Sequence, residues 1–131
     1  MSQENVEIAR AAIEAYNRGD VESMLAVAGP GFELDLSRAA GPLNGVYGLD
    51  RIVEFWAEIA DSWESVRIEP HEFIEVEEHV VVPWTLHLTG REGIQVQARV
   101  AWVLTFREGA VERLTMYQER KDALEAVGRP S

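Results

Sequence analysis

Residues 16–20 read Tyr16-Asn17-Arg18-Gly19-Asp20, and this stretch places a sharp corner at the head of the fold. Upstream, Val6, Ala9, Ile13 and Tyr16 recur at helical spacing, with Ala12 beside them, which marks one apolar helix face over 2–18. Gly19 suits the left-handed conformation that closes a helix, and the Asp20 carboxylate suits the free N–H groups that open the next. A second, short helix is therefore expected over about 21–28, stopped by Gly29-Pro30. Phe32, Leu34 and Leu36 then alternate with Glu33, Asp35 and Ser37, the pattern of a half-buried strand.

Further along, 39–48 is rich in glycine and proline and reads as turn. A third helix is expected over about 49–63, with Ile52, Trp56, Ile59 and Trp63 on one stripe and Val53 and Ala60 flanking it. The rest is mostly strand: 66–76, 80–89, 94–107 and 110–120, separated by Glu77-Glu78-His79, Gly90-Arg91-Glu92-Gly93 and Glu108-Gly109. Connections this short imply antiparallel hairpins. A last helical turn is expected over 121–127. Helices first and a strand meander after them is an α+β order, and 1–131 reads as a single domain without repeat or linker.

Composition narrows the function classes. The chain carries 23 acidic and 12 basic residues, a formal net charge of −11, which disfavours nucleic acid and anionic membrane as partners. It has no cysteine, which removes thiolate chemistry, disulfides and cysteine-type zinc sites. The absence of a long apolar run and of a secretory leader pattern leads to the expectation of a soluble, cytoplasmic protein. His71, His79 and His87 lie apart in the sequence, and no metal or other cofactor is expected. Neither a Gly-x-Ser-x-Gly elbow nor a phosphate-binding loop is present.

Asn17-Arg18-Gly19-Asp20, Val46-Tyr47-Gly48 and Ile52-Val53-Glu54-Phe55-Trp56, followed by Thr105-Phe106-Arg107-Glu108-Gly109 and the run from Tyr117 to Leu124, resemble the nuclear transport factor 2-like superfamily. Within it they are similar to the SnoaL-like branch, which includes polyketide cyclases and is related to ketosteroid isomerases. The resemblance implies a cone, in which a strongly curved antiparallel sheet wraps around the N-terminal helices and leaves a pocket between them. It also implies a homodimer through the outer sheet face, for which Arg99, Val103, Thr115 and Tyr117 are the candidate residues. Function does not follow from this fold, which hosts enzymes and non-catalytic domains alike.

Strand alternation assigns the faces independently. The larger apolar set should point inward: Val82, Trp84, Leu86 and Leu88 in one strand, Ile94 through Phe106 in steps of two in the next, and Leu114 and Met116, with Gln118, in the last. A pocket built this way is lined by Leu34, Leu36, Trp56, Trp84, Trp102, Leu114 and Met116, with Tyr16, Tyr47 and Gln118 as its polar groups. Such a wall suits a small hydrophobic molecule.

The isomerase reading can be tested by counting. Ketosteroid isomerases use a carboxylate base with a tyrosine and a protonated aspartic acid as oxyanion donors. The matching positions here are Ala12, Leu36 and about Trp102, none of which titrates. Binding of a hydrophobic molecule is therefore the first expectation. The alternative is an isomerase or cyclase in which Asp35 acts as acid/base with Tyr16 or Tyr47 as donor, and a third is an interaction module.

Overall fold

A computed structural model describes residues 2–38 and 44–129; residues 39–43, in the stretch read as turn, lie outside them. Helices α1 (Ser2–Arg18) and α2 (Val21–Ala26) lead into strand β1 (Ala28–Asp35) and a short β2 (Val46–Gly48). Helix α3 (Leu49–Ser62) follows, then β3 (Ser65–Pro70), β4 (Ile74–Val76), β5 (His79–Thr89), β6 (Gln95–Arg107), β7 (Ala110–Tyr117) and helix α4 (Arg120–Ala126). The strands form one seven-stranded sheet in the order β2-β1-β7-β6-β5-β3, with β4 also paired to β5. No helix among the described residues is long and apolar enough to cross a membrane.

The opening corner forms as its residues dictate. Gly19 has φ +72, and the Asp20 and Gly19 amides donate back to the Ala15 and Tyr16 carbonyls at 2.9 and 3.0 Å. This paired bonding satisfies the last carbonyls of α1. Asp20 then caps α2, accepting from the Ser23 amide at 3.1 Å and the Ser23 hydroxyl at 2.7 Å. Asn17 supplies a long-range tie: its side-chain amide donates to the Ile68 carbonyl and accepts from the Ile68 amide, both at 2.8 Å.

The sheet departs from the expected meander in several places. β1 pairs with β7 in parallel, although every other pairing is antiparallel. Helix α2 ends at Ala26 rather than near 28, and Gly29-Pro30 lies inside β1. There the register slips between Ala28 and Glu33, so the extra residues bulge the strand. The expected strand over 66–76 is broken into β3 and β4. Pro83, in the middle of β5, sits opposite this break and accepts from the His71 amide at 2.9 Å. A residue without an N–H is tolerated there because no regular ladder is required of it.

Two buried clusters result. The larger lies inside the sheet's curve and joins Ala9 and Ile13 of α1, Ile52 and Phe55 of α3, and the inward faces of the strands. On the outer face, Ala123 and Leu124 of α4 cover Val81, Ala101 and Val103. Helix α4 thereby occupies part of the surface expected to form a dimer: Val103 and Thr115 are buried and Tyr117 packs against the same cluster. Arg99 stays exposed.

A Cβ at position 19 would meet no atom within 4 Å, so Gly19→Ala tests the backbone conformation alone. The left-handed penalty of about 1–2 kcal/mol should lower Tm by roughly 3–6 °C in a thermal melt. An unchanged Tm would contradict the corner described here.

Candidate functional site

The interior of the cone is not filled. Between α1, α3 and the inward sheet face lies a cavity of about 300 Å³, at the lower end of the roughly 300–1,000 Å³ typical of ligand pockets. Its wall draws on Tyr16 from α1, Leu34 and Leu36 from β1 and its end, Trp56 from α3, Trp84 from β5, Trp102 from β6, and Leu114 and Met116 from β7. All four tryptophans of the chain line it. Trp84 and Trp102 meet as a tilted pair with ring centroids 4.3 Å apart, an arrangement that fixes both rings.

Alternation works along these strands because one face turns to the cavity and the other to α4 or to solvent. Trp84, Leu86 and Leu88 share the cavity side of β5, as Trp102 and Leu104 do in β6. Glu112 of β7 is an extra residue that bulges opposite Thr105 and Phe106 of β6 and shifts the register of the pair. It turns Val111 as well as Leu114 and Met116 to the cavity. The rule weakens where the core ends: Ile94 and Val96, inward by parity, remain 61% and 38% exposed.

Tyr16, Leu34, Leu36, Trp56, Trp84, Trp102, Leu114 and Met116 are thus brought together, and three expected residues are not. Tyr47 faces inward opposite Leu34 but is sealed behind the wall, its ring against Phe55 at 4.4 Å and beneath the Arg51 guanidinium at 4.8 Å. Gln118 falls past the end of β7, where alternation no longer directs it, and donates to the Arg38 carbonyl at 3.3 Å. Asp35 lies on the opposite face of β1 from Leu34 and Leu36. Val66, Ile68 and Trp63 are further wall residues, not expected from the sequence; for the first two, alternation with Arg67 and Glu69 carries the signal.

The placement of Asp35 decides its chemistry. Arg113 of β7 reaches across to both acids of β1, donating to Glu33 and, at 2.6 Å, to Asp35. The Ser37 hydroxyl and amide donate to the other Asp35 oxygen at 2.5 and 2.9 Å. Burial alone would raise the Asp35 pKa, but these donors and the Arg113 charge outweigh it and hold the carboxyl at about 2. An acid this weakly basic, and absent from the wall, is a structural anchor of the parallel β1–β7 pair. Among the described wall residues the one titratable side chain is Tyr16, and burial pushes its pKa above the ordinary phenol value, so its hydroxyl stays neutral.

The histidines have separate partners: His71 Nε2 with Thr85 Oγ1 at 2.6 Å, His79 Nδ1 with Thr105 Oγ1 at 3.0 Å, and His87 Nε2 with Glu69 at 2.7 Å. Among the described residues, no three histidine, aspartate or glutamate side chains converge as metal ligands would.

This architecture accords with the sequence comparison. The chain belongs to the SnoaL-like domain family, which it matches over residues 9–114. The crystal structure of TerC co-crystallised with polyporic acid is similar, with 25% identity, a TM-score of 0.78, and coverage of 95% of this chain and 98% of that one. An NTF2-like protein from Burkholderia thailandensis shares the fold at 20% identity and a TM-score of 0.78, covering 96% of this chain and 98% of its own. A proposed polyketide cyclase from Xanthomonas campestris pv. campestris does so at 20% identity and 0.73, covering 97% and 98%. No curated protein matches the sequence.

The Asp35 anchor predicts a pH-dependent stability. Its folded pKa lies below the ordinary 3.8, so its contribution is complete above about pH 4 and is lost as pH falls toward 2. Asp35→Asn should cost on the order of 1–2 kcal/mol at pH 7, allowing for the partial exposure of Arg113, and little near pH 2. Urea unfolding at a series of pH values checks this; an equal cost at both ends would rule out the charge as its source.

Proposed function

We propose that this SnoaL-like domain binds a small hydrophobic molecule inside the cone, and that binding rather than proton transfer is what the cavity is built for. The observation that carries the reading is the make-up of the wall: aliphatic and aromatic side chains with Tyr16 as the single titratable group among the described residues. Apolar area of this kind supplies affinity, while aromatic rings give flat faces for a ring-bearing ligand. The likeness to TerC, a protein co-crystallised with polyporic acid, supports the same reading. Acid/base chemistry at Asp35 gains no such support, because that carboxylate is committed to Arg113 and Ser37 away from the wall.

The four wall tryptophans make the cavity its own reporter. Titration with 1-aminoanthracene, a neutral fluorescent aromatic, is expected to give saturable energy transfer from tryptophan with Kd on the order of 1–10 µM. Leu114→Trp, which fills space at the wall, should weaken binding roughly tenfold, as that loss corresponds to about 1.4 kcal/mol, while leaving the circular dichroism unchanged. No saturable binding to the wild-type protein, or equal binding by Leu114→Trp, would contradict the proposal.

A further inference from the structure

The outer face of the sheet has two halves. Helix α4 covers one, over Val81, Ala101 and Val103. On the other, β3, β5 and β6 run side by side and carry polar side chains in register. Arg67 and Glu69 lie opposite His87 and Thr85, which lie opposite Gln97 and Arg99. Glu69, His71, Thr85, His87, Gln97 and Arg99 line a hollow of about 450 Å³ there. Because side chains alternate along a strand, this hollow is on the opposite side of the sheet from the cavity inside the cone.

Four of its side chains already bond to one another. His87 Nε2 lies 2.7 Å from Glu69 Oε1, and since a carboxylate only accepts, this nitrogen carries the proton. His71 Nε2 meets the Thr85 hydroxyl at 2.6 Å. The hydrogen bond from His87, with the charges of His87, His71 and Arg67 nearby, holds the Glu69 carboxyl below its ordinary pKa. Glu69 is thus ionised and engaged. Arg99 and Gln97 differ: among the described residues neither side chain has a hydrogen-bond or ion-pair partner. Elsewhere the chain sets arginines against acids, as in Arg18 with Asp20, Arg113 with Asp35 and Arg120 with Glu72. With 23 acidic residues for 12 basic ones, a guanidinium without an acid runs against the composition.

A guanidinium is a planar fork of N–H donors that matches a carboxylate through two parallel bonds. Gln97, two residues earlier on the same face of β6, adds an amide donor. The fixed charges around the hollow are Arg67 and Arg99 against Glu69, which balances one negative charge on a ligand. A phosphate would bring a second charge against Glu69.

We propose that this hollow is a second ligand site, which takes a small polar carboxylate on Arg99, with Gln97 as the adjoining donor and the His87–Glu69 pair as the neighbouring wall. The site is separate from the cavity in the cone and does not depend on what that cavity holds.

The test pairs L-lactate with L-lactamide, which share a frame and differ by the carboxylate charge. In the ¹⁵N-labelled whole chain at constant ionic strength, lactate should move the Arg99 Nε–H and Gln97 side-chain amide resonances saturably, with Kd on the order of 1–10 mM. Lactamide should not. Arg99→Gln should weaken binding roughly tenfold, as losing a charged hydrogen-bond pair does. Arg99→Lys should recover only part of it, because it restores the charge without the fork. Arg107→Gln, at an exposed arginine of the same strand outside the hollow, should change nothing. Equal shifts with lactamide, full binding by Arg99→Gln, or loss of binding in Arg107→Gln would overturn the proposal. Competition by 1-aminoanthracene would put lactate inside the cone and overturn it too, whereas a failure of 1-aminoanthracene to bind touches only the cavity reading. If lactate does not bind and sedimentation shows copies that associate in the wild type but separate in Arg99→Gln, the face is a contact between copies and the proposal fails.

Discussion

The Asn17 amide on the edge of β3 is the constraint on which the interior depends. Its two bonds to Ile68 replace the ladder partner that an edge strand lacks, and they tie the end of α1 to the far side of the sheet. The adjoining residues divide the remaining work. Tyr16 turns its ring to the cavity, Gly19 ends the helix, and Asp20 starts the next. Because α1 is held at β3 while α2 leads straight into β1 near the opposite edge, the corner keeps the helices spanning the mouth of the sheet. They cannot then settle fully into its curve.

A sheet with one face to fill would ordinarily close its core with large side chains, and protein interiors pack densely. Here the outer face carries its own cover, α4 over Val81, Ala101 and Val103, and the inner face is only partly closed by three helices. The parallel β1–β7 pair, clamped by Arg113 on Glu33 and Asp35, completes the wall with Leu34, Leu36, Leu114 and Met116. The ion cluster on the outside thus supports an uncharged interior. This explains why the acids that looked closest to chemistry in the sequence belong to the frame.

Much of this was legible in the residues. Helical spacing located α1 and α3, the Gly19-Asp20 pair located the corner, and alternation assigned Leu34, Leu36, Trp84, Trp102, Leu114 and Met116 to the cavity and Asp35 away from Leu34 and Leu36. The illegible parts depend on partners distant in sequence. Nothing local in residues 32–36 reveals a parallel neighbour eighty residues away. Tyr47 lay in a stretch dominated by turn residues and is screened by Phe55. The direction of Gln118 was extrapolated past the point where β7 stops.

A cone that holds an open apolar cavity rather than a filled core should take up xenon, because apolar cavities of this kind admit it. In a crystal pressurised with xenon, the expected result is ordered xenon within the space bounded by Trp84, Trp102 and Trp56, with the surrounding side chains unmoved. A structure in which those rings have closed on one another and no xenon enters would contradict it.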